Sequence, residues 1–214
     1  MKPSVGRFRT VQMKRFSRVP RFWRKFREGE EGAVVVETAL MIPLFILILF
    51  GALELGRFIL AHQKMQAAAS LAADIAAQTE DALSEGQVSD ILAALDDVVS
   101  PFPFDSRARL ILTGLQGDSR FGNTVRWQRC SGSLARSSRY GGPGSKQVAL
   151  PAGLVLAPGD TLVVAEIYYN YAPLFAGNGI VASRDLYHQA LFRPRYGALD
   201  RIVNDGTPPA TCGG

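Results

Sequence analysis

Cysteine and histidine are scarce in this chain, two of each among 214 residues. Neither Cys130 nor Cys212 has a partner at zinc-type or redox-type spacing, so zinc and thioredoxin-like sites lack support. With His62 and His188 the only histidines, a metal cluster is not expected, and no cofactor is implied. The phosphate loop, the nucleophile elbow and the HExxH helix are all missing. The acids that remain are scattered through turns. No catalytic residue is nominated, and an enzyme is not expected.

Acidic residues are scarce at one end. Residues 1–32 hold ten Lys or Arg against Glu28, Glu30 and Glu31, which gives +7. The other residues hold fourteen basic against sixteen acidic, or −2, so the net +5 is a property of the leader. A basic arm of this kind suits nucleic acid or anionic lipid. Lipid and cytoplasmic retention explain it better, because a membrane-length segment follows directly. The pattern Phe8-Arg9, Arg15-Phe16 and Arg21-Phe22-Trp23-Arg24 fits either an interfacial helix or an irregular tail lying on the inner leaflet.

Long apolar runs are absent except once. Residues 33–53 carry a single charge, Glu37. At ~1.5 Å per residue, the run just crosses a hydrocarbon core of ~30 Å. Residues 44–50 are apolar all round, as lipid contact requires, whereas a globular core helix keeps a polar face. The run is too long for a secretory h-region of roughly 7–15 residues. It predicts a retained single-pass anchor with the N-terminus inside. Pro43 lacks an N–H and is expected to kink the helix. Glu54 and Arg57, three apart, are placed to pair at the outer interface.

The helical composition does not stop there. Residues 55–78 contain no Pro and no Gly after Gly56, and are rich in Ala, Met, Gln and Leu. Phe58, His62, Met65, Ala69, Ala72 and Ala76 recur at 3–4 spacing and form one narrow face. That face needs a partner, either the chain's own C-terminal domain or a second copy. His62 falls on it as a packing residue rather than a ligand. Gly86 reads as a break, after which Ser89 caps a second helix over residues 90–99, its inner face Leu92, Leu95 and Val99. Pro101 and Pro103 stop it.

From here the period changes from 3.6 to 2. Strands are predicted at 107–115, 124–129, 160–171 and 185–192, the third rich in β-branched and aromatic residues. Residues 130–146 form a Ser/Gly/Arg loop, either solvated or a partner site. Residues 194–214 are rich in turn formers and are expected to drape over the sheet. Helices first and antiparallel strands after make an α+β domain, with the projecting helix as cover for the sheet. The expected divisions are a basic cytoplasmic leader at 1–32, a transmembrane helix at 33–53, its periplasmic extension at 54–80 and a periplasmic α+β domain at 81–214. If that domain lies in an oxidising compartment, Cys130 and Cys212 make one disulfide; otherwise they are two free thiols.

These residues resemble the prepilin and pseudopilin plan, and in particular the TadE-like proteins of tight-adherence pilus systems. Gly32 is similar to the residue before the scissile bond, and Ala33 to the new N-terminus. Glu37 then occupies the fifth mature position. Residues 37–44 look like the family's opening of glutamate, apolar residues, proline and leucine, and 51–54 like its helix exit. Residues 163–174 resemble its strand, and 193–197 its ending. Thr38 stands where major pilins carry Tyr, and the chain is longer than a major pilin. The resemblance therefore implies a structural minor pilin or pseudopilin. Its implied partners are prepilin peptidase, other pilins, inner-membrane assembly proteins of the tight-adherence system and the lipid bilayer; nucleic acid is not among them. Glu37 is implied to neutralise the freed amine of a neighbouring subunit, and Pro43 to shape the packing surface.

Overall fold

The structure, a computed structural model, describes residues 31–80, 82–174 and 183–212. The expectations for the basic leader therefore lie outside the described residues. The chain divides into two units, Met1–Gly51 and Ala52–Gly214.

The first helix, α1, spans Glu31–Ala77 and runs through Pro43 without interruption. In the first unit, every side chain from Ala33 to Gly51 is exposed. Its most apolar window has a mean hydropathy of 2.6, and among the described residues this is the one helix long and apolar enough to cross a membrane. Apolar surface left uncovered is unfavourable in water by ~25 cal/mol per Å², and that surface is what a bilayer covers. Thr38 does not interrupt it, because its hydroxyl donates to the Val34 carbonyl at 2.8 Å.

The second unit is α+β. The C-terminal part of α1 buries Ala61, Met65, Ala68, Ala69, Ala72, Ala73 and Ala76 in one core with the sheet. The sheet is antiparallel, in the order β3-β2-β4-β5, with β2 at Ala108–Asp118, β3 at Gly122–Ser131, β4 at Thr161–Tyr171 and β5 at Arg184–Phe192. Alternation along β4 sends Val163, Ala165, Ile167, Tyr169 and Tyr171 to the α1 side. Leu162 and Val164 go to the other face, under Tyr140, Val148, Leu150 and Leu156 of the long loop. With both faces covered, β4 is buried along nearly its whole length, and so its sequence is mostly apolar on both faces, with Glu166 the buried charged exception.

Two short strands, β1 (Leu83–Ser84) and β6 (Ile202–Val203), pair in parallel. They bring the C-terminal segment to the start of α2, Glu85–Val99. Here the structure corrects the predicted boundary. The cap is Ser84, not Ser89: the Gln87 N–H donates to Ser84 Oγ at 3.2 Å, and the Ser84 N–H to Gln87 Oε1 at 3.0 Å. This reciprocal box starts the helix five residues early. Gly86 is not a break but a close approach, since a Cβ there would stand 2.7 Å from Asp205 Oδ2. Strand β2 also starts one residue later than expected, because Arg107 ends a single turn, α3, at Phe104–Arg107.

Candidate functional site

Four groups of side chains carry chemistry, and each is placed by the element that bears it. In the first unit, Gly32 and Ala33 lie in the opening turns of α1. Glu37 follows one turn on, with an exposed side chain. Pro43 removes the bond that would reach the Ala39 carbonyl. Glu37 is thus a lone carboxylate on an otherwise apolar surface.

Glu54, in the second unit, does not pair with Arg57 as the spacing suggested. The Tyr171 hydroxyl donates to Glu54 Oε1 at 2.6 Å, and the Leu174 N–H to Oε2 at 2.9 Å. Both carboxylate oxygens are occupied, and the end of β4 is tied to α1. The Arg57 guanidinium sits 5.5 Å from the centre of the Phe102 ring instead. Burial, then the neighbouring Glu54 carboxylate, pushes the Tyr171 hydroxyl up to about 12.

His62 lies on the buried face of α1 as expected from its spacing, packed edge-on against Phe58 at 4.6 Å. What the spacing did not reveal is its partner. His62 Nδ1 is 3.0 Å from Nε2 of His188 on β5, and His188 Nδ1 is 3.0 Å from Gln66 Oε1. Burial and the adjoining His62 hold His188 below its ordinary value.

The opposite face of the sheet carries the fourth group. Glu166 is fully buried on β4. Its carboxylate accepts from the Ser138 hydroxyl, from the Arg139 N–H at 3.0 Å and from the Tyr187 hydroxyl at 3.0 Å. The Arg139 guanidinium stacks 3.5 Å above the Tyr187 ring, and the Tyr140 hydroxyl donates to Gln189 at 2.6 Å. A buried charge is tolerated only when its lone pairs are filled, and here loop donors fill them. The 130–146 segment is therefore pinned to the sheet at its middle rather than solvated throughout. It borders an open groove of about 940 Å³ lined by Arg109, Ser133, Arg136 and Ser138. Cys130 on β3 and Cys212 are bonded, with Cα atoms 4.9 Å apart, and Cys130 N–H donates to Ala210 O at 2.8 Å. The C-terminal segment is thereby held along β3.

Compared with known families, residues 32–74 match the model described as TadE-like protein. The resemblance holds over α1 and ends at Asp74, so for residues 163–174 and 193–197 it rests on the sequence pattern alone. No curated protein and no solved structure matches the chain.

Proposed function

From a TadE-like match that opens at Gly32, we propose that this chain is a structural subunit of a tight-adherence pilus or its secretion machinery. It is a minor pilin or pseudopilin that primes or supports assembly. It sits in a bacterial inner membrane through residues 33–53, with its basic leader in the cytoplasm and its α+β domain in the periplasm. The ten leader cations against two soon after the span support that orientation. The disulfide suits the oxidising side.

The observation that carries this function is one of position. The family match starts at the residue before the proposed cut, and Glu37 lies five residues beyond it. Prepilin peptidase would hydrolyse the Gly32–Ala33 bond and remove the +7 leader. The new amine on Ala33 then faces a medium in which a free charge is expensive, ~2.5–3.5 kcal/mol at mid-depth and less near the surface. Glu37 of a neighbouring subunit neutralises it and sets the stagger between the two helices. Pro43, which leaves the Ala39 carbonyl without its helix donor, would shape the surfaces that meet.

N-terminal sequencing or intact mass of membrane-extracted protein tests this directly, with Ala33 expected as the first residue. An intact leader in cells that contain the peptidase favours the second function, an unprocessed single-pass anchor whose periplasmic domain binds an envelope component. That alternative draws its support from the domain, which lies beyond the matched residues and presents the groove along 130–146.

A further inference from the structure

The chain has two histidines, 126 positions apart, and the fold brings their rings together. His62 comes from α1 and His188 from β5, so the pair spans the seam between helix and sheet. Gln66 stands one turn beyond His62, with its Oε1 3.0 Å from His188 Nδ1. A carbonyl oxygen only accepts, so His188 Nδ1 carries the ring proton. His188 Nε2 is left with a lone pair directed at His62. A ligating histidine is ordinarily held in this way, with its far N–H on an oxygen acceptor. Phe58 braces the His62 ring from its edge, and the two imidazole planes cross at 86°. Both rings are half-buried.

We infer that His62 Nδ1 and His188 Nε2 form a two-point chelate for a first-row divalent cation, which clips α1 to β5. Two bonds of about 2.0–2.1 Å from one ion to nitrogens 3.0 Å apart open at roughly 91–97° and set the ion off the N···N line, so each ring turns to aim its lone pair at it. That is the cis angle of a tetragonal or octahedral ion such as Cu²⁺ or Ni²⁺. Tetrahedral Zn²⁺ requires nitrogens about 3.4 Å apart, so the seam has to open for it. On binding, the proton on His62 Nδ1 moves to its Nε2, and both rings stay neutral. Two coordinate bonds replace one N–H···N hydrogen bond. Water fills the other positions, since no group of three or more His, Cys, Asp or Glu side chains is placed to hold a metal among the described residues. An ion that binds the folded pair and not the unfolded chain raises stability. This inference does not depend on the pilus function.

The test uses the full chain in detergent or nanodiscs, first stripped with a chelator. Thermal unfolding is followed with Cu²⁺, Ni²⁺ or Zn²⁺ alone at neutral pH. Stabilisation is expected, largest for Cu²⁺, and His62→Gln or His188→Gln should each abolish it. Gln66→Ala should weaken binding by about 10–100-fold. Equal stabilisation of wild type and His188→Gln, or none in either, overturns the proposal. Should the variants fail to fold, electron spin resonance of Cu²⁺-loaded wild type counts the coordinating imidazoles. Two nitrogens support the chelate, and one or none overturns it.

Discussion

Glu37 can lose its charge with almost no change of shape, which makes it the sharpest residue to alter. Glu37→Gln should leave membrane insertion intact and reduce co-assembly with partner pilins in a pull-down from membranes; unchanged co-assembly would show that the carboxylate has no part in docking. Tyr171 and Tyr140 report on two carboxylates in the domain, half-buried Glu54 and buried Glu166. Burial first, and the nearby Glu54 and Glu166 second, push each hydroxyl up to about 12. The unfolded value is about 10, so the folded state favours the protonated form. Its stabilising contribution is complete below pH ~10 and is lost as pH rises through about 12. Tyrosinate absorbance should thus show late-titrating groups, Tyr140 and Tyr171 beside the likewise raised Tyr168, Tyr169 and Tyr187, with unfolding alongside, and Tyr171→Phe should remove one; tyrosines that all titrate near 10 in folded protein would contradict it. Some of this was legible in sequence. His62 fell on the correct face because helical spacing is local. Its partner His188, and the Tyr171 and Leu174 that displaced Arg57 from Glu54, were not, because those contacts join positions more than a hundred residues apart. Glu166 was not singled out in sequence, since two of its donors sit on a loop with no periodicity and a third on β5.

At the scale of elements, α1 has two characters. Up to Gly51 it is clad in large, exposed apolar side chains, and beyond Ala61 its inner face is almost all alanine. Small side chains let the helix lie close on the sheet. Ala72→Leu should therefore overpack the seam and destabilise the domain by about 1–3 kcal/mol in chemical denaturation. Ala67→Leu, on the exposed side, should shift it by about 0.5 kcal/mol or less. Equal effects of the two would mean that the face is not packed as described. The long apolar run of α1 and its alanine face were readable, because each is a pattern within one element. The start of α2 was misplaced because Gly86 was weighed as a breaker. The Ser84–Gln87 box that overrides it is itself a local signal, and a close Asp205 is what Gly86 accommodates.

For the whole molecule, the switch of hydrophobic period from 3.6 to 2 was enough to give an α+β class. Strand order was not accessible, since β4 inserts between β2 and β5 through pairings that no local pattern encodes. The disulfide, by contrast, joins residues 82 apart in sequence. In the loop-entropy account, closing a loop of that size stabilises the fold by about 4.5 kcal/mol. Reduction, or Cys212→Ser, should lower stability by up to about that amount in denaturant titration, and a shift below ~1 kcal/mol would show that the bond constrains little. The closed ring also has a mechanical meaning. It contains β4 and β5, the strands that hold α1. Pulled by its two ends, the oxidised chain withholds the contour of those 82 residues, about 290 Å at full extension. A subunit loaded in tension would yield through the elements before Cys130, from α1 to β2 and most of β3, and then stop. Reduction would release the stored length, so a single covalent bond two residues from the last glycine sets how far the molecule can be stretched.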